Sequence, residues 1–106
     1  MISEQIYPGF DNTIKWVVSR RETPTGPSRV FDMDANNITK VAVSVDGDLK
    51  TSDADNVNFS TSMVTMQLGL DFPVLAAGRY PGKLILYSAD FPGGKVWEDE
   101  VEFVVK

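Results

Sequence analysis

The stretch FDMDANN, residues 31–37, sets acidic and amide side chains on alternate positions: Asp32, Asp34 and Asn36. That spacing resembles the start of a calcium loop. An EF-hand loop takes oxygen ligands at positions 1, 3 and 5, a glycine at 6 and a bidentate glutamate at 12. Counted from Asp32, position 6 is Asn37 and position 12 is Val43. Without the glycine the backbone does not turn sharply, and without the glutamate the coordination sphere stays open. The same residues suit a turn better. Asn and Asp bond back to nearby amides and tolerate left-handed backbone, so DANN joins Met33 to Ile38. Asp46/Asp48 and Asp53/Asp55 read alike as solvated turn formers, or at most as a weak cation site at one end of the fold. No metal and no other cofactor is expected.

Carboxylate pairs are the next chemistry to weigh. Glu98, Glu100 and Glu102 stand two apart, so on a strand they share one face and could line a shallow acidic groove. Glycosidic chemistry needs its two carboxylates across a deep cleft, roughly 5 to 9.5 Å apart. A domain this small spends its interior on its own core, so an exposed, charged strand face is the expectation. The chain has no cysteine and no histidine, which excludes Ser-His-Asp and Cys-His catalysis, thiolate or histidine zinc sites and a histidine pH switch. GRYPG lacks the Lys-Ser/Thr and the following helix of a phosphate loop. A non-enzymatic protein is expected.

Aromatic side chains remain. Trp16 and Trp97 lie in phase with aliphatic neighbours and are assigned to the core. Tyr7, Phe10, Phe72 and Phe91 each adjoin Pro or Gly in turns or near the terminus. Loop aromatics are harder to bury than strand ones, so these four, with Glu98, Glu100 and Glu102, are the candidate interaction surface.

The elements that must hold these residues read as strand after strand. Ile14, Trp16 and Val18 alternate with Thr13, Lys15 and Val17 as a half-buried first strand, and RRETPTGPSR follows as a turn or long hairpin loop. Val30–Met33 is a short second strand. Val41, Val43 and Val45 form the clearest strand, ended by Asp46-Gly47, with Lys40 turned toward solvent or a partner. Val57 and Phe59 share one phase and Val64, Met66, Leu68 and Leu70 the other, which calls for a bulge or break near residues 60–62. Val74–Ala77 has room for one helical turn. At the end of the chain Trp97, Val101, Phe103 and Val105 share one face, and Asp99 marks a bulge or departure from the sheet. About seven strands with regular turn signals indicate an all-β antiparallel sandwich.

At 106 residues the chain reads as one domain spanning 1–106, with 1–11 a loosely ordered arm. Its apolar share of 42% and charged share of 24% are those of an ordinary soluble domain. Ten basic residues against fifteen acidic give a net charge of -5, which disfavours nucleic acid and anionic membrane as partners. No apolar run approaches membrane-spanning length, and MISEQIYPGF lacks the basic and apolar regions of a signal peptide.

Residues 75–80, LAAGRY, resemble the tyrosine corner of immunoglobulin-like domains, with Gly78 and Tyr80 in the motif and Gly82 where antibody domains carry a cysteine. More of the chain, roughly residues 12 to 105, resembles the immunoglobulin-like N-terminal domain of phage baseplate upper proteins and related small tailed-phage virion proteins. FDMDANNITKVAVSV, VTMQLG and LAAGRYPGKLILYSADFPGGKVWEDEVEFVV carry that likeness, with Asn36 or Asn37 in place of the turn's usual glycine. The resemblance implies an immunoglobulin-like β-sandwich acting as a structural or assembly module. Its partners would be other virion or assembly proteins, or further copies of itself through an edge strand. It would reside in the virion, or in the host bacterial cytoplasm during assembly. A carbohydrate-binding sandwich with calcium support from the Asp-rich loops is the other expectation.

Overall fold

Alternating branched and polar side chains, cut by Gly, Pro, Asp and Asn, produce short strands throughout the chain. A computed structural model describes residues 2–21 and 27–106. In chain order the strands are β1 (Ile2–Ile6), β2 (Ile14–Val17), β3 (Ser19–Arg21), β4 (Ser28–Val30), β5 (Lys40–Val45) and β6 (Asp48–Thr51). Then come β7 (Val57–Ser60), β8 (Met63–Met66), one helical turn α1 (Leu68–Asp71), β9 (Gly78–Tyr87) and β10 (Lys95–Val105). They build a five-stranded sheet in the order β1-β10-β9-β5-β6, a three-stranded sheet β2-β8-β7 and a two-stranded ribbon β3-β4.

The two larger sheets face one another across a single core. Ile14, Trp16, Val57, Val64 and Met66 from one meet Val41, Val43, Leu84, Leu86, Val101 and Phe103 from the other. Trp16 stacks on Phe103 with ring centroids 5.9 Å apart. Gly82 makes room for that ring, since a Cβ there would lie 2.7 Å from Phe103 Cδ2. The alternation of Val41, Val43 and Val45 is thus the signature of a strand with one face in this core. Ala42 and Ser44 are buried as well, because β5 runs between β6 and β9 and carries small side chains on its outer face. Lys40 is half-buried and sets its ammonium 4.3 Å from the centre of the Tyr87 ring.

FDMDANN is a turn. Asp32 Oδ1 accepts the Ala35 amide at 2.9 Å, and the Ile38 amide donates to the Met33 carbonyl at 2.9 Å. Asn37 takes a φ of 57°, a region that Asn enters with little penalty. Asp34 is held from another strand pair: Thr61 Oγ1 donates to its Oδ2 at 3.2 Å.

Several sequence expectations are corrected. Residues 2–6 are no loose arm: β1 pairs in parallel with β10, and Ile6 is fully buried. The second strand ends at Val30 rather than Met33; the Phe31 amide adds one last bond in the β3–β4 register, to the Val18 carbonyl, and the Met33 amide turns away to the Thr61 carbonyl. The break expected near residues 60–62 is present, as the turn between β7 and β8 with Thr61 at φ 45°. The even phase of β8 stops at Met66, and the helical turn lies at Leu68–Asp71 rather than 74–77. Gly69 lets the 7–10 loop cross directly over this turn, since a Cβ there would collide with the carbonyl oxygens of Tyr7 and Phe10. The tip of the RRETPTGPSR loop lies outside the described residues; its flanks form the β3–β4 ribbon.

Candidate functional site

The candidate residues fall into separate places. At the end where β1, β8 and β10 finish, the 7–10 loop is tied down by the Gly9 amide donating to the Gly69 carbonyl at 2.8 Å. Phe10 is 70% exposed there and Tyr7 39%, with Leu70 and Val74 also exposed on the neighbouring connection. Tyr7 keeps its hydroxyl bonded to Gln5 Oε1 at 2.6 Å, leaving its ring edge to solvent. Phe72, expected on this surface, belongs to the core at 7% exposure. The helical turn reverses the chain and aims it inward, with Lys50 Nζ 5.0 Å from the ring centre. Leu70 and Val74 take its place as surface apolar groups. Leu70 was read in phase with the core, and only recognition of the helical turn would have released it.

Tyr80 stands at the start of β9 and donates its hydroxyl to the Ala76 carbonyl at 2.8 Å. The bond closes the 76–80 corner at the same end of the molecule, where Gly78 has a φ of 154°. A side chain that bridges four residues back to the backbone fixes the angle at which the connection enters the sheet.

Phe91 lies at the opposite end, in the connection from β9 to β10. Lys95 Nζ sits 6.0 Å from its ring centre and 5.8 Å from that of Trp97. Trp97 is half-buried rather than fully in the core. Its ring meets Phe31 at 4.5 Å between centroids, and its Nε1–H donates to the Ser19 carbonyl at 3.0 Å.

The three glutamates do not share a face. Strand β10 is bulged twice against β9, between Val96 and Glu98 and again between Glu98 and Val101. The first bulge puts Glu98 opposite the core residue Leu84, where it lines a small cleft of about 100 Å³ with Trp16, Val18 and Trp97. Its Oε1 accepts the Glu100 amide at 3.0 Å. Glu100 and Glu102 lie on a different surface, beside Arg79 and Pro81. Glu102 there pairs with Arg79 at 2.7 Å. The bulge expected at Asp99 is present, and with it goes the continuous acidic face. Sequence reasoning also missed Glu4, whose Oε1 accepts Trp16 Nε1–H at 3.0 Å across the edge between the sheets.

No protein-family model matches the chain, and no curated protein or solved structure matches it either.

Proposed function

We propose that the chain is an immunoglobulin-like β-sandwich and a non-enzymatic structural or assembly module of a tailed-phage or prophage virion, working through protein–protein contacts. The sheet order supports the fold part. Strands β10-β9-β5-β6 opposite β2-β8-β7 correspond to the G-F-C-C′ and B-E-D sets of immunoglobulin sandwiches, and the Tyr80 hydroxyl bond has the form of their tyrosine corner. The β3–β4 ribbon is then an insertion between strands B and C. The observation that carries the contact function is the exposed apolar group of Tyr7, Phe10, Leu70 and Val74 on one end of the molecule. Aromatic residues standing free on a loop that is itself pinned by a backbone bond make anchors with little ordering cost. The phage setting rests on the sequence resemblance.

The carbohydrate reading has less behind it. The Phe91 and Trp97 rings carry the Lys95 ammonium near their faces, and Asp32 and Asp55 accept backbone amides.

Quantitative mass spectrometry of gradient-purified particles from the source lysate tests the proposal. The chain is expected in the particle fraction at a fixed ratio to the major structural proteins, and the Phe10→Ser variant is expected to fold but leave that fraction. A chain found only in the soluble fraction would overturn the virion assignment.

A further inference from the structure

The end of the molecule that carries the β3–β4 ribbon holds a concentration of positive charge that the acidic composition conceals. A cleft of about 450 Å³ is lined by Arg20, Lys95, Phe31, Phe91 and Trp97, together with Asp90. A second cleft of about 290 Å³ shares Arg20, Phe31 and Asn36 with it and adds Arg29 and Asp32. Among the described residues three cations thus line these clefts against two carboxylates, on a chain of net charge -5. One of those carboxylates, Asp32, already accepts the Ala35 amide.

The cations are also held in an arrangement that invites an anion. The antiparallel register of β3 and β4 sets Arg20 directly across from Arg29. Like charges opposite one another on paired strands destabilise the pair. Among the described residues the ion pair is Arg79–Glu102, at the other end of β9, and no carboxylate comes within ion-pairing distance of Arg20, Arg29 or Lys95. Lys95 is steadied by two rings at once, near the 6 Å limit at which an ammonium is attracted to an aromatic face. Trp97 is fixed beneath it by its bond to Ser19 and its contact with Phe31.

We propose that this double cleft receives an acidic peptide segment of a partner protein, an inference that rests on the contact-module reading above. Guanidinium groups take carboxylates through paired N–H donors, and two of them side by side lose their mutual repulsion when one anion sits between them. The wall formed by Phe91, Trp97 and the exposed Val96 matches apolar side chains that flank the carboxylates on a peptide. A free phosphate ion would use the cations alone and leave that wall wet. A nucleic acid strand would meet the repulsion of the whole acidic surface.

The test is a titration of the ¹⁵N-labelled full chain with a short peptide alternating glutamate and leucine, followed by NMR and by thermal melting. A saturable shift of the Trp97 indole N–H, with that of Trp16 unmoved, is expected, together with a rise in melting temperature. The Arg20→Gln/Arg29→Gln variant should melt no lower than the parent without peptide, bind about tenfold more weakly or worse, and lose the peptide-induced rise. Lys50→Gln, far from the cleft, should bind as the parent does. The inference is overturned by an unmoved indole at millimolar peptide, or by equal binding to the double variant. Equal binding of the lysine-for-glutamate peptide, displacement by equimolar inorganic phosphate, or tighter binding of a single-stranded oligonucleotide would overturn it too. A chain that is present in particles but ignores the peptide loses only this cleft; one that binds the peptide but is absent from particles loses only the virion setting.

Discussion

From Val101 to Val105, strand β10 runs in unbroken register between β1 and β9 and alternates buried with half-buried side chains. From Lys95 to Glu100 it has β9 on one side only, is bulged twice, and buries no side chain fully. The composition does not separate the halves cleanly, since each holds an aromatic residue, valine and glutamate. What separates them is the second neighbour. A strand hydrogen-bonded on both edges must keep period two, because a slip would unpair groups on each side. A strand with one edge open accommodates an extra residue at little cost, and each extra residue re-aims the side chains around it. The candidate cleft lies at the open half, and the packed half supplies the rigid frame.

The sharpest way to break that comparison is to truncate the aromatic residue in each half. Phe103 is fully buried and stacked on Trp16, so Phe103→Ala should cost about 3–5 kcal/mol in urea melts. Trp97 is larger but half-buried, and Trp97→Ala should cost clearly less than that. Equal losses would mean that the open half is as integral to the core as the paired half.

Glycine substitutions give the next largest contrast. In Gly82→Ala the new methyl would lie 2.7 Å from Phe103 Cδ2 in a space with no slack, and about 1–3 kcal/mol should be lost. Gly93 precedes the open half, and a Cβ there meets nothing within 4 Å. Gly93→Ala should leave the melting midpoint within experimental error of the parent.

A smaller effect distinguishes how the two indoles are anchored. Trp16 donates to the Glu4 carboxylate, so Glu4→Ala leaves a buried N–H unpaired and should cost about 1–2 kcal/mol, with Glu4→Gln recovering most of it. Trp97 donates to a backbone carbonyl, so Ser19→Ala should cost almost nothing. Loss of stability in Ser19→Ala but not in Glu4→Ala would reverse this assignment.

The same contrast explains which features could be read from residue order. The three valines of β5, and Val101, Phe103 and Val105, lie between two neighbouring strands, where period two is enforced, and all are buried as their phase indicates; Ile14, Trp16 and Val18 keep their phase at a sheet edge because all three reach the core. The turn at 32–37 was legible because Asp and Asn bond locally, within the stretch that contains them. Phe72, Leu70 and Glu98 were misplaced because their directions depend on contacts distant in sequence. The helical turn that directs Phe72 and Leu70 packs under the 7–10 loop, which crosses over Gly69, and the open edge of β10 permits the bulge that turns Glu98 toward Leu84. The charge on the β3–β4 ribbon was visible only as Arg20-Arg21, followed at once by Glu22. That Arg29 stands across from Arg20 is a fact of strand register, which the intervening loop does not disclose.

The least effect is expected from the ion pair that closes the regular half. Arg79 and Glu102 meet at 2.7 Å, with their side chains 73% and 27% exposed. Pairs in such surroundings contribute about 0.2–1 kcal/mol, because water already solvates the guanidinium and two long side chains must be ordered. A double-mutant cycle with Arg79→Gln and Glu102→Gln should return a coupling in that range at low salt, and about half of it or less near physiological ionic strength. Glu102 stands beside β1 and β9 in fixed register, so the pair is held by the backbone on both strands. Glu100, only two residues earlier, lies past the bulge and has no such constraint. Arg79→Gln paired with Glu100→Gln should therefore show no coupling, which separates a pair set by register from the general attraction of an acidic strand. A coupling to Glu100 as large as that to Glu102 would show that the open half of β10 settles onto Arg79 in solution, and the distinction between the halves would fail at its boundary.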